Sequence, residues 1–258
     1  MTLAVELVAM DNGIPFSKGN RRIELTSILF LIIMNRSELS DKKIIFFQKK
    51  ILLWFEHHGR EFLWRSAKLS TYQYIIAEVL LQRTRAETVA GFYDRFIGEY
   101  PNWEAIAASD LEDIESILKP VGLYRQRAVR LRRLADEMVR RNGIIPKDRK
   151  DLESIPLIGQ YIANAIELII HNKPSPLIDV NMSRVVERFF GPRTKVDIRF
   201  DPYLQDLCTK VVNHRKSKEI NWAILDFAAL TCKAPKPKCL NCPLKNECSF
   251  YESFIHSK

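Results

Sequence analysis

An all-α protein is what this chain predicts. Apolar residues recur at helical spacing in segment after segment, no stretch alternates apolar and polar residues with period two, and no repeat of fixed length is visible. The 258 residues suffice for one large or two modest domains with real cores. A hydrophobic content of 47% and a charged content of 28% are those of an ordinary globular protein. The formal net charge of +9 is compatible with a polyanionic partner, although many basic proteins bind no nucleic acid.

Residues 1–40 fit poorly with the rest. Their apolar run, Ile28 to Met34, is far too short to span a bilayer, and no small-residue cleavage site of a signal peptide follows it. They read as an N-terminal extension of unknown role, with Met34 as an alternative start. From Ser40 the pattern is helical: Ile44, Ile45, Ile51, Leu52 and Phe55 make one face that ends at His57-His58-Gly59. Phe62, Leu63, Trp64 and Arg65 follow, with the aromatics expected in the core. Ser70 or Thr71 is expected to cap a helix from Tyr72 to Gln82. On it Glu78 and Gln82 share a face, which taken alone is a solvated one, and Arg83-Thr84-Arg85 close the segment.

Two short helices are expected at Trp103 to Ala108 and Leu111 to Leu118, with Ser109 or Asp110 as cap. Beyond Gly122 a helix rich in arginine runs to Arg141 and stops at Asn142-Gly143. Its face of Val129, Leu131, Leu134 and Met138 should point inward, leaving Arg130, Arg132, Arg133, Arg140 and Arg141 for water or phosphate. Next, Pro156-Leu157-Ile158-Gly159 forms a turn ahead of a helix with Ile162, Ala163, Ile166, Ile169 and Ile170 on one face. Such a turn delivers unpaired backbone N–H groups at the positive end of a helix, where an anion binds. Asp179 follows the apolar approach Pro176-Leu177-Ile178, and Asn181 is expected to cap a helix from Met182 to Phe190. Helices at Pro202 to Val212 and Glu219 to Leu230 complete the series.

Cys232, Cys239, Cys242 and Cys248 are spaced C-x6-C-x2-C-x5-C and account for four of the five cysteines. Without a secretion signal a disulfide pairing is improbable, so the spacing points to a metal centre. Structural zinc more often takes two C-x2-C-like pairs. The fifth, Cys208, reads as a small buried hydrophobe.

The turn with its downstream Asp179, the segment from Ala77 to Ala86 and the cysteine spacing resemble, in order and separation, the endonuclease III / MutY superfamily of DNA base-excision glycosylases. The resemblance covers about residues 44–250. It implies a two-domain helix-hairpin-helix fold: a six-helix barrel over residues 67–175, and an iron–sulfur domain built from residues 41–66 and 176–258. The four cysteines would hold a [4Fe–4S] cluster. Lys236 and Lys238, with Lys233, would face phosphates from the loop it stiffens. The hairpin Pro156, Ile158, Gly159 and Gln160, together with Gln82 and Arg83, would contact DNA. One departure stands out: Leu157 occupies the position of the first hairpin glycine. If the backbone there is left-handed, leucine costs roughly 1–2 kcal/mol.

By the same resemblance Asp179 is the catalytic carboxylate and Glu78 stands at the proton donor of adenine glycosylases. Tyr161 holds the place of the Schiff-base lysine of strand-cleaving members, which implies a monofunctional hydrolase leaving an abasic site. The ends Leu81-Gln82-Arg83-Thr84 and Gly122 to Ala128 are most similar to glycosylases acting on thymine in G·T mismatches. Thymine or uracil opposite guanine is therefore the expected substrate. Adenine opposite guanine or 8-oxoguanine is the second, and a non-catalytic DNA-binding module the alternative of another class. The expected partner is double-stranded DNA with a mismatched or damaged base, bound by a cytoplasmic, nucleoid-associated monomer that needs no membrane.

Overall fold

The structure, a computed structural model, describes residues 41–256; the extension expected at residues 1–40, with its alternative start, lies outside the described residues. Of the described residues, 41–49 fall in one unit and 50–256 in another. Residues 41–58 are helical (α1). No strand occurs among the described residues, and none of their helices is long and apolar enough to cross a membrane.

Ser70 begins the next helix as expected: its side chain accepts from Gln73 N while the Gln73 side chain accepts from Ser70 N, a reciprocal capping box. Helix α2 (Thr71–Leu81) is followed by α3 (Ala86–Ala90), α4 (Tyr93–Glu99), α5 (Trp103–Ala108) and α6 (Leu111–Leu118). Helix α7 (Tyr124–Arg140) packs on α5 and α6. Asn142 and Gly143 end it at φ 52° and 71°, and Gly143 N reaches back to Met138 O at 2.8 Å. Its buried stripe is Ala128, Leu131, Leu134, Ala135 and Met138. Val129 does not belong to it. The expectation placed Val129 inward, but at 100° per residue it falls outside the arc centred on Leu131 and Leu134, and it is 37% exposed.

The hairpin joins α8 (Arg149–Ser154) to α9 (Gln160–Ile169), and α9 lies against α2. One apolar core ties α2 to α9, with Ile75, Ile76, Phe96, Ile106, Ile114, Leu131, Leu152, Ile158 and Ile166 among its members. Burying such side chains contributes roughly 1.5–3 kcal/mol each, which fixes where the hairpin sits relative to α2. A second group of helices follows: α10 (Val180–Phe190), α11 (Pro202–Val212), α12 (Ser217–Leu230) and α13 (Ser249–His256). Helix α10 packs on the other three through residues such as Val185, Val186 and Phe189, and α12 also touches α9.

Candidate active site

A cleft of about 1190 Å³ opens where α2, the α6–α7 connection, the hairpin, the start of α10 and one face of α12 converge. It gathers Glu78, Gln82, Arg83, Gly159, Gln160, Tyr161 and Asp179 from the expected set. Pro156 and Ile158 line a shallower pocket beside it with Gln82, Leu157 and Gly159. The Ile158 side chain is buried in the core, so only its backbone can meet a ligand. Lys236 and Lys238 are exposed on the cysteine loop and do not line the cleft.

Asp179 rather than Asn181 is the cap of α10, which begins two residues earlier than expected. The reason is chemical. The Asp179 carboxylate accepts Asn181 N at 2.9 Å and Met182 N at 2.7 Å on Oδ1, using the donors left unpaired in the first turn. Its Oδ2 accepts Asn181 Nδ2 at 2.7 Å. Arg184 then donates from Nη2 to Asn181 Oδ1 and from Nε to the carbonyl of Cys232. Burial pushes the Asp179 carboxyl above its ordinary value, while the Met182 and Asn181 donors and the Arg184 charge pull it back. The segment delivering it is pinned by Asn221, wholly buried on α12, which accepts from Leu177 N at 2.8 Å.

Glu78 sits across the cleft at 4% exposure. Burial lifts its carboxyl to about 7, against the pull of the Tyr74 and Tyr161 hydroxyls and the Arg65 guanidinium. A carboxyl titrating there can hold a proton at neutral pH and give it up. Burial, then the charges of Glu78 and Asp179, push the Tyr161 phenol well above its usual value, so it remains a neutral donor.

Arg65, expected beside a core loop, is a cleft residue with a built seat. Its guanidinium donates two bonds, of 2.8 and 2.9 Å, to Asp226 and lies over the rings of Phe55, Phe62 and Trp222 at 5.1–5.9 Å. Asp226 is fully buried and also accepts Arg60 N and Nε. The sequence signal was a lone Asp inside the apolar run of α12. Arg127 was likewise missed as a site residue. It donates to Thr84 Oγ1 at 2.8 Å and to the carbonyl of Gln82, tying down the C-terminal end of α2 from which Gln82 and Arg83 project.

The hairpin turn closes with Ile158 N on Ile155 O at 3.1 Å, and no side chain caps α9, so its first N–H groups are left for a ligand. Gly159 has φ −87°, open to any residue, and a Cβ there would meet nothing within 4 Å. Nothing inside the protein requires glycine there, and the bare backbone leaves room for close approach from outside. Leu157 takes φ 69°, the left-handed backbone that costs leucine roughly 1–2 kcal/mol. Arg83 at φ 57° and Leu123 at φ 49° line the same cleft, the latter 56% exposed. Three of the six left-handed non-glycine positions among the described residues thus line the cleft, the others being Asn142, Asn172 and Lys236.

Cys232, Cys239, Cys242 and Cys248 line one pocket with Phe189, Phe227 and Phe250, while Cys208 is buried on α11. Among the described residues no three His, Cys, Asp or Glu side chains stand arranged for a metal ion as they are. The donor set nevertheless suits a thiolate-bound group: four sulfurs, a largely apolar wall, and the Arg188 guanidinium donating to Cys232 Sγ at 3.4 Å.

The chain is similar to known proteins in sequence and in fold. A family model described as HhH-GPD superfamily base excision DNA repair protein matches residues 76–210. The chain is 37% identical over 214 residues to a thymine/uracil-DNA glycosylase of Pyrobaculum aerophilum, spanning 80% of this chain and 92% of that one. It is 31% identical over 211 residues to a thymine-DNA glycosylase of Aeropyrum pernix, with 80% and 94% covered. The solved structure of a thermostable thymine-DNA glycosylase superposes with a TM-score of 0.77 at 32% identity, covering 82% of this chain and 98% of that one. Sequence and fold agree, and the chain belongs to the HhH-GPD superfamily of base excision DNA repair proteins.

Proposed function

We propose that this protein is a monofunctional DNA glycosylase that removes thymine or uracil mispaired with guanine. The observation that carries the reading is the pairing, in one cleft, of a carboxylate seated on a helix N-terminus, Asp179, with a buried carboxyl that titrates about neutrality, Glu78. The relatives named for thymine and uracil support the choice of base.

A base in a duplex hides its glycosidic bond, so the nucleotide must be extruded, and a mispaired base costs least to extrude. The hairpin N–H groups with Arg130 and Arg133 of α7 hold the backbone, while Gln82 and exposed Leu123 project from the cleft's edges toward the space the base leaves. As the bond breaks, positive charge grows on the sugar. Asp179 stabilises that charge and takes the proton of the attacking water. Glu78 donates a proton to the departing base, and Tyr161 and Arg65 offer further donors around it. Water adds to the sugar carbon, the base leaves with its proton, and an abasic site remains. No lysine lines the cleft among the described residues, and Lys173 is engaged by Glu167 at 2.8 Å. An imine to the sugar has no amine here to form it.

Cys232, Cys239, Cys242 and Cys248 would hold a [4Fe–4S] cluster. When bound, it would join the C-terminal loops covalently and add no chemistry to base release. Lys236 and Lys238 would meet phosphates outside the cleft, and the protein would act as a monomer.

The test is a panel of labelled duplexes carrying G·T, G·U, A·G and A·8-oxoG. Excision of T and U opposite G is expected. Excision confined to A would transfer the substrate to the adenine class, and binding without excision would remove the enzymatic reading.

A further inference from the structure

We propose that Tyr74 is a positioning residue for Glu78: its buried hydroxyl, directly or through one trapped water, holds the carboxyl group from behind and keeps one oxygen turned to the cleft. The proposal rests on the reading of Glu78 as proton donor.

Tyr74 and Glu78 are four residues apart on α2 and therefore neighbours on one helix face. They are 3% and 4% exposed. The Tyr74 hydroxyl and Glu78 Oε2 are both enclosed, and neither makes a hydrogen bond of full geometry, although the hydroxyl stands near enough to pull on the Glu78 carboxyl. A buried polar atom left unpaired is destabilising, and phenylalanine would fill the same space without that cost. Two adjacent orphans of complementary type, one a donor and one an acceptor, instead mark a bond that closes by a small torsional adjustment or by admission of a single water.

The groups facing Glu78 are Tyr74 on its own helix, Tyr161 from α9 and Arg65 from the turn at Leu63–Arg65. Tyr161 and Arg65 line the cleft, so an incoming base competes for their donors. Tyr74 does not line it. Its hydroxyl is the donor that a bound nucleotide leaves untouched, which makes it the fixed reference for the Glu78 carboxyl through binding, proton transfer and release. Donation to a carboxylate favours the charged form, so loss of the hydroxyl must move the Glu78 titration upward.

The experiment is infrared titration of the Glu78 carboxyl in the full chain, taken as the difference from Glu78→Gln, for wild type and Tyr74→Phe. An upward displacement of about one pH unit is expected in Tyr74→Phe, with the alkaline limb of base release moving with it. A 3-fluorotyrosine at position 74, equal in shape and more acidic, should move both the other way. In the Glu78→Gln background, Tyr74→Phe should change base release no further. An unchanged Glu78 titration in Tyr74→Phe would overturn the proposal, and so would equal slowing with and without Glu78. If Glu78→Gln releases base at the wild-type rate, the acid role of Glu78 falls, while the carboxyl titration still decides for or against Tyr74.

Discussion

The side chain of Asn181 donates to Asp179 Oδ2 at 2.7 Å, and its own Oδ1 accepts from Arg184, whose Nε holds the carbonyl of Cys232. The carboxylate is thereby fixed from two sides, by backbone donors at Oδ1 and by an amide anchored to the cysteine loop at Oδ2. Asn181→Ala should leave the cap bonds in place and free Oδ2 to rotate. Loss of that orientation is expected to slow base release about ten-fold, with duplex affinity little changed. Single-turnover rates beside a binding titration check this; weakened binding at an unchanged rate would contradict it.

Glu78 lowers the protein's stability for the sake of its proton. Its folded titration at about 7 lies above the ordinary carboxyl value of 4.5, so the unfolded chain ionises first. Holding the proton favours the folded state below 4.5, and that contribution is lost progressively as pH rises from 4.5 through about 7. Glu78→Gln should accordingly be more stable than wild type at pH 8, by on the order of 3 kcal/mol, and no more stable at pH 4. Thermal unfolding across that range measures it. A pH-independent difference would mean that Glu78 titrates alike in the folded and unfolded chain.

Leu157→Gly isolates the hairpin's departure. Glycine removes the roughly 1–2 kcal/mol penalty of the left-handed leucine but adds about 1 kcal/mol of chain entropy and forfeits the partial packing of the side chain on the core. The melting temperature should therefore barely move. Since the leucine side chain lines both pockets at the hairpin, its removal should tighten binding to a matched duplex several-fold. Unaltered affinity would show that the side chain does not stand between phosphate and backbone.

Much of this was legible in the residues. Helical spacing located α2, α5, α6 and α11 to within a residue, because each is bounded by residues that cap or break, although α2 is buried on almost every side. Asp179, Glu78 and Tyr161 were found by motif, and the structure brings all three into one cleft. What spacing could not supply was the tertiary partner. The cap of α10 went to Asn181 because either residue type suits an N-terminus, and only the three-dimensional turn decides which oxygen meets the free N–H groups. Arg65 and Asp226 lie 161 positions apart, beyond any periodicity. Nothing in the spacing singles out Tyr74; its enclosed hydroxyl beside Glu78 does so only in three dimensions.

The cysteine reading is tested by colour and by metal. Purified without air, the protein should be yellow-brown from thiolate-to-iron charge transfer and hold four irons. Replacement of Cys239 by Ser should bleach it and lower its thermal stability. A colourless preparation with one zinc per chain would replace the cluster by a zinc site.

The most direct test of the central claim is base release from a G·T duplex, labelled on the thymine strand, by wild type and by Asp179→Asn. For wild type, the labelled strand should stay intact until hot alkali cuts it at the former thymine, with little covalent complex trapped by borohydride. Asp179→Asn, which keeps size and removes the charge opposite the developing sugar cation, should bind the duplex and lose on the order of 100-fold or more in rate. Near-normal release by Asp179→Asn, or efficient trapping that vanishes on replacing a single lysine, would contradict the assignment of the chemistry to this cleft.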